Sequence, residues 1–493
     1  MGINLSKNEE KGYAPLDASS FDDDQLYEEE EPVEEHVVYK RRFYILVMFS
    51  VASIAQILIW NFWAPVASTA MNIFGWNQAD IALLSVWGGV ISVFVCIPFA
   101  GIMDKFGLRV MFLIAETLGF IGAAIRCIPV AEEYLKWTAN IGQAFIALAG
   151  PFLVQGPSLM SAAWFPSYQR TTATAIAQTS MGFGVAISFI LGPWVVQDSA
   201  TVNNKTMNVS QSGDSNFEHL PFDSGPIGPV VKQKQISDIY RLLYIECAMM
   251  AILCIAAWIY FPAKPPTPPS VSASKTREEF LPGVKKLIRS PNNFWIPGIA
   301  YGISIGVPNT WATQLVIMFQ GTVGLPQDTI SWIAFYTYCG GVIGAFTASR
   351  CIDHIGGKMR VVILILFVPA IIALIWLMLI IADIVQYNLV SIYLSTVLYG
   401  TLMKSSRPIF LEMACEGVYP VAEGITVGSL NWLDNCYGCV FFFIMMIPNI
   451  GQHWMNWAVL ASMLIAVVLL LVFKEESKRL EEDRNVAIFN EQQ

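Results

Sequence analysis

"GIMDKFGLRV", residues 101–110, sets an acid, a lysine, an arginine and two glycines between two apolar runs. A weaker copy, "RCIDHIGGKM" (350–359), aligns Asp104 with Asp353, Gly107 with Gly356 and Arg109 with Lys358. A second pair keeps almost the same spacing: "WFPSYQRTTATAI" (164–176) lies against "VYPVAEGITVGSL" (418–430), with Pro166 opposite Pro420. Two independent anchors at nearly one spacing imply a chain built from a duplicated half.

The runs around these anchors read as membrane spans. Of 493 residues, 55% are hydrophobic and 14% charged, whereas an ordinary soluble domain carries roughly a quarter charged residues. A span needs about 20 mostly apolar residues. Candidates fall at 43–60, 78–100, 109–129, 138–163, 171–196, 240–261, 294–320, 328–349, 361–382, 388–411, 423–448 and 457–473. The expectation is therefore an all-α membrane protein of twelve helices in two six-helix halves. An even number per half makes the repeats parallel, related by a pseudo-twofold axis along the membrane normal, as in transporters. The divisions follow: an acidic disordered tail (1–40), an N-terminal bundle (41–261), a linker (262–292) rich in proline, a C-terminal bundle (293–473) and a second tail (474–493).

Lysine and arginine near span ends set orientation. Lys40, Arg41, Arg42, Lys105, Arg109, Arg170, the group from Lys264 to Arg289, Arg350, Lys358, Arg360, Lys474, Lys478 and Arg479 all fall on one side. That side, with both termini, is expected to be cytoplasmic. The long loop of about 197–239 falls opposite and holds the glycosylation acceptors Asn204 and Asn208, which matter only on the luminal side. The net charge of −9 comes mostly from "FDDDQLYEEEEPVEE" (21–35), a solvated run that says little about a substrate. The acidic start does not read as a cleavable signal peptide. "YAPL" (Tyr13 to Leu16) fits a Tyr-x-x-apolar address for cytosolic sorting adaptors.

Enzyme chemistry finds little support. The nine cysteines fall in or beside spans, so no luminal disulfide framework is indicated. "CYGC" (436–439) reads as packing inside an apolar helix, and four scattered histidines make no metal cluster. There is no H-E-x-x-H and no G-x-S-x-G. We expect no enzyme activity, cofactor, metal or nucleic-acid partner; the expected partners are a small-molecule substrate, protons and lipid. Ionisable groups at membrane depth are costly and usually serve transport. Glu116, Glu246 and Asp434 are the acids there, with Arg126 the nearest base. Asp434 follows Asn431 by three residues, so one helical face presents both.

The 101–110 stretch resembles the loop signature of the major facilitator superfamily, G-x-x-x-D-[RK]-x-G-x-[RK], with Gly101, Asp104, Lys105, Gly107 and Arg109 in its places. The resemblance implies a reversible latch. The glycines allow a tight turn, and Asp104 can face the positive N-terminal end of span eleven near Glu423; Asp353 is its counterpart in the repeat. Longer strings narrow the family: "IWNFWAP" (59–65), "ADIALLSVWG" (79–88), "IRCIPV" (125–130) and "YPVAEGIT" (419–426) are similar to solute carrier family 49, the FLVCR-related branch.

That resemblance implies a carrier of small organic molecules: choline or ethanolamine, a proposed haem cargo, or, in one subgroup, pyridoxine exported from lysosomes with protons. In the family's choline carriers an aromatic cage holds the cationic head. Its tryptophan maps to Trp60, while its tyrosine and glutamine positions hold Asn309 and Ser180. With two walls of the cage changed, Trp60, Trp63 and Trp311, together with Gln56, Asn309 and Asn431, would suit a flat hydroxylated aromatic such as pyridoxine (vitamin B6). Glu412, Glu416 and Glu423, with Lys404 and Arg407 nearby, resemble a cytoplasmic gate. The reading is proton-coupled export of such a solute across the lysosomal membrane. The rivals are a pH-independent choline or ethanolamine facilitator at the plasma membrane, a haem exporter, and a non-transporting nutrient sensor or scaffold.

Overall fold

A computed structural model describes residues 39–196, 229–267, 280–355, 358–386, 388–418, 421, 423–447, 450–451 and 453–475. The tail and loop positions Tyr13, Leu16, Asn204 and Asn208 lie outside the described residues, as do the side chains of Asp104, Asp353 and Glu423.

The first half comprises α1 (Arg41–Trp60), the short α2 (Ala67–Phe74), α3 (Gln78–Arg126), α4 (Glu132–Trp164), α5 (Ser167–Val195) and α6 (Pro229–Ile259). A short α7 (Phe280–Ile288) leads into the second half: α8 (Ile296–Tyr301), α9 (Val307–Thr313), α10 (Leu315–Val323), α11 (Gln327–Ile355), α12 (Met359–Ile381), α13 (Leu389–Val418), α14 (Glu423–Met445) and α15 (His453–Val472). Asn77 starts α3 with a capping box, accepting from the Asp80 N–H at 2.9 Å while Asp80 accepts from the Asn77 N–H at 3.1 Å.

Two spans lie within α3, because Gly107 interrupts it at φ 76°, ψ 174°. A positive φ there suits only glycine, so the stretch between the second and third spans does turn on the glycine that its sequence offered. Along α12, Ile363, Phe367, Ala370 and Leu374 are buried while Ile365, Val368, Ile372 and Trp376 are exposed. Apolar groups on both faces of one helix are what lipid on one side and protein on the other require.

Among the described residues, nine helices are long and apolar enough to cross a membrane. The three expected spans that fall short are those at 294–320, 388–411 and 423–448, and each has a physical reason. The first is broken into α8 and α9 by π-helical turns at Pro291–Trp295 and Gly302–Gly306, where Pro297 and Pro308 withhold backbone donors. The second and third, α13 and α14, carry Lys404, Arg407 and Asp434 within their length.

One apolar core joins α1, α3, α4, α5 and α6 around Phe49, Phe112 and Phe152, and a larger one joins the C-terminal helices around Tyr301, Phe367 and Phe410 and takes in Val86 and Phe189 of the first half. The halves meet where α3 packs on α14 and α5 on α11. Small residues set that closeness: a Cβ on Gly89 would lie 2.8 Å from Cys439 Sγ, and one on Gly182 would lie 2.9 Å from a Val342 methyl. At the end of the bundle away from Lys105 and Arg350, Ser68 donates to Gln327 across the two halves.

Candidate functional site

Span seven approaches α14 unusually closely. A Cβ on Gly306 would lie 2.1 Å from the Asp434 carbonyl oxygen, and one on Gly302 would meet Tyr437 at 2.9 Å. The π-helical turn therefore brings backbone against backbone beside Asp434, midway along α14. Tyr301, one residue before the turn, donates its hydroxyl to Asp434 Oδ2 at 3.3 Å. Asn435 Nδ2 donates to Asp434 Oδ1 at 2.8 Å. Arg407 from α13 stands 3.8 Å from the same carboxylate and donates to Asn431 Oδ1 at 3.4 Å. Asp434 and Arg407 differ in exposure, at 8% and 34% of their side chains, so the acid is enclosed while the guanidinium keeps a free face.

The cluster reaches both ways. Asn431 Nδ2 donates to Cys96 Sγ of α3 at 3.5 Å, and Trp432 Nε1 donates to the Val93 carbonyl at 2.9 Å. One face of α14 thus holds the cluster and also touches the opposite half. Lys404, one turn before Arg407, donates to Asn309 Oδ1 at 3.5 Å and lies 3.8 Å from the Tyr338 ring centroid. Asn431 and Asp434 thus share Arg407, as an aligned Asn431–Asp434 face allows, and the Lys404–Asn309 pair stands one turn away along α13, so that three helices contribute to one polar region.

Lys404 and Arg407, expected near the gate acids, make the contacts described with Asn309, Tyr338, Asn431 and Asp434. Both lie inside the expected span at 388–411, and the helix itself, α13, continues to Val418. Glu412 and Glu416 lie further along toward its end. Tyr301, Tyr338 and Asn435 were not expected at all. Tyrosine in an apolar span gives no sequence signal of which way it faces, although the spacing of Lys404 and Arg407 does mark one helical face.

A second polar group sits inside the N-terminal half. Arg126 and Glu246 pair at 3.2 Å with side chains 1% and 2% exposed. Arg126 also donates to the Ile59 carbonyl at 2.9 Å and to Gln143 Oε1 at 3.5 Å, and its guanidinium stands 5.5 Å from the Phe62 ring. Gln143 in turn donates to the Trp60 carbonyl at 2.7 Å. These contacts tie the end of α1 to α3, α4 and α6. Glu116, ten residues earlier on α3, is buried with one oxygen unpartnered.

The remaining expected binding residues divide. Trp60 is partly exposed and lies over Gly88 of α3, where a Cβ would come within 2.8 Å of its indole nitrogen. Gln56 donates inward to the Ile146 carbonyl at 3.0 Å. Trp63 packs between Phe62 and Trp76, with ring centroids at 4.7 and 5.1 Å. Trp311 donates to Asn456 at 2.9 Å and packs edge-on to Tyr399. The last three belong to the walls of their own halves and not to the group around Asp434.

The sequence profile of the Major Facilitator Superfamily matches residues 48–443. The fold agrees: the outward conformation of the transporter FucP superposes with a TM-score of 0.58 at 14% identity, covering 88% of this chain and all of that one. The chain belongs to this superfamily and, within it, to solute carrier family 49. The solute carrier family 49 member 4 homolog of Xenopus tropicalis is 30% identical over 455 residues, which is 92% of this chain and 95% of that protein. The choline/ethanolamine transporter flvcr2a of Danio rerio is 23% identical over 453 residues, 90% of this chain and 88% of that one.

Proposed function

We propose that this membrane transporter moves a small hydroxylated aromatic solute of the pyridoxine type out of the lysosome by alternating access, coupled to protons. One observation carries the reading. Asp434, an acid midway along a membrane helix, is held by Tyr301, Asn435 and Arg407, on a helix whose Asn431 and Trp432 bond to the other half. A group so placed senses both the solute beside it and the movement of one half against the other. Ionisable groups inside the membrane are costly and commonly mark such a path. Asn309, Asn431 and the outer face of Arg407 offer hydrogen bonds to ring-edge oxygens and nitrogen, and Trp60 offers an aromatic face from the opposite half.

In the proposed cycle Asp434 exchanges a proton while its contacts with Arg407 and Tyr301 loosen and re-form. Movement of a proton down the gradient of an acidic lumen then drives solute into the cytosol. Gly101, Asp104, Lys105, Gly107 and Arg109, with Asp353, Glu412, Glu416 and Glu423, form the cytoplasmic gate of this reading. The Tyr13 and Leu16 signal supplies the compartment. The test is uptake of labelled pyridoxine by cells carrying Tyr13→Ala and Leu16→Ala, with surface protein quantified. Uptake stimulated by external acid supports the reading, and pyridoxine flux indifferent to pH or absent despite surface protein removes it.

Choline or ethanolamine facilitation is the second reading. The aromatic face of Trp60 and the similarity to proteins named for that transport favour it, whereas Asn309 and Ser180 stand where the cage's other walls would be. Choline uptake equal at acidic and neutral pH in the same cells would select it.

A further inference from the structure

Lys404 is an ammonium well inside a membrane helix, yet among the described residues it is in no ion pair within 4 Å, unlike its neighbour Arg407. Its position is built. A Cβ on Gly341 would lie 2.8 Å from Lys404 Cδ and 2.9 Å from its Cβ, and Gly340 and Gly344 give the same clearance to Thr401 and Ser405. The glycine face of α11 therefore lets the lysine stem lie flat across it. The ammonium ends 3.8 Å from the Tyr338 ring centroid and in contact with Asn309 Oδ1 at 3.5 Å. An aromatic face beside an amide oxygen is a receptor for an ammonium ion, and here a side chain of the protein occupies it.

The surrounding charge points the same way. The next charged group along α13 is a second cation, Arg407, and the acid beside it is Asp434. Two cations thus stand against one carboxylate. Lysine has three N–H donors, of which Asn309 takes one, so the ammonium can still bond to a ligand oxygen. An incoming quaternary ammonium would have to displace Lys404 from Tyr338 and then lie beside both cations.

We propose that Lys404 is a tethered cation that fills the cation receptor of the site and sets its selectivity: the wall accepts a solute bearing an anionic or strongly accepting oxygen, such as a carboxylate or phenolate, and rejects quaternary ammonium ions. This rests on the polar group around Asp434 being the solute site, but not on pyridoxine being the solute or on proton coupling.

The test uses the purified full chain in proteoliposomes at one fixed pH on both sides. Three labelled probes are compared: pyridoxine, its 4-carboxylate analogue and choline; benzoate is added as an unlabelled competitor. Wild-type protein should bind or move the carboxylate at least about tenfold better than choline, the loss of one charge-assisted hydrogen bond being worth that much. Lys404→Met should lose the carboxylate preference by a similar factor and gain choline, while Lys404→Arg keeps the preference for the anion. Wild-type preference for choline, or an acid-to-choline ratio unchanged in a Lys404→Met protein of normal melting temperature, overturns the proposal. Should Lys404→Met not fold, the wild-type ratio and the Lys404→Arg ratio still decide. If benzoate and the carboxylate bind but pyridoxine does not move, the pyridoxine reading falls and the charge selectivity stands.

Discussion

Replacing Arg126 by methionine removes the centre of the buried group in the N-terminal half, and the structure lets the cost be worked out contact by contact. The substitution deletes the 3.2 Å pair with Glu246, the 2.9 Å bond to the Ile59 carbonyl, the 3.5 Å bond to Gln143 and the contact with Phe62. It leaves Glu246, whose side chain is 2% exposed, as an acid without its counter-charge. Breaking one side of a buried pair costs about 3–5 kcal/mol, most of it from the stranded charge. Glu246→Gln strands the Arg126 guanidinium in turn and should cost toward the lower end of the same range, about 3 kcal/mol, because the bonds to Ile59 and Gln143 remain. The double variant Arg126→Met with Glu246→Leu strands no charge, although the Ile59 carbonyl and Gln143 Oε1 still lose their donor, and should recover much of the single-variant loss, since an apolar pair of similar volume often replaces a buried ion pair at little cost. The assay is thermal denaturation in detergent followed by size-exclusion fluorescence, with wild type, Arg126→Met, Glu246→Leu and the double variant arranged as a double-mutant cycle and Glu246→Gln measured beside them. A double variant no more stable than the sum of its two single losses would refute the reasoning.

Three further outcomes follow from particular contacts. Gly306→Ala places a methyl 2.1 Å from the Asp434 carbonyl; backbone cannot rotate away, so it should destabilise by at least the ~1–3 kcal/mol typical of overpacking, and melting of the variant, with Gly424→Ala as an uncrowded control, measures it. Trp432→Phe keeps the ring but loses the bond to the Val93 carbonyl across the halves; at about 0.5–1.5 kcal/mol, it should shift the balance between conformations by up to about tenfold, readable as the ratio of thiol labelling from the two sides of the membrane. Glu475, past the end of α15, accepts from the Met359 and Arg360 N–H groups at 2.8 and 3.1 Å; burial pushes its carboxyl up from the usual glutamate value, against those bonds and Arg360. The folded chain then holds this proton more tightly than the unfolded chain, so stability from this group falls as pH rises through the window just above that value. Glu475→Gln should flatten this part of a melting-temperature profile.

The architecture was legible because its signals are coarse and redundant. Apolar runs, the copied 101–110 and 350–359 stretches and the basic residues on one side all agree, and Gly107 turns as its place in the motif requires. Asn431 and Asp434 were legible too, since a three-residue spacing fixes a shared helical face. Partners on other helices were not. Tyr301 depends on a π-helical turn that brings Gly306 against α14, and sequence periodicity assumes an unbroken helix. Lys404 and Arg407 fell inside the expected span at 388–411, but their contacts with Asn309, Asn431 and Asp434 lie on other helices and no spacing announces them. The tryptophans depend on distant partners in the same way: Trp63 packs on Trp76 and Trp311 bonds to Asn456, contacts that no spacing announces.

Coupling through Asp434 is the central claim, and the most direct measurement separates solute exchange from proton-driven accumulation in one preparation. Wild-type and Asp434→Asn proteins are reconstituted into proteoliposomes. Labelled pyridoxine is followed under an imposed pH gradient and again as counterflow against unlabelled pyridoxine with no gradient. The account predicts that wild type accumulates solute against its gradient when protons flow with it, and that Asp434→Asn loses accumulation while retaining counterflow. Accumulation by Asp434→Asn at the wild-type level would contradict it.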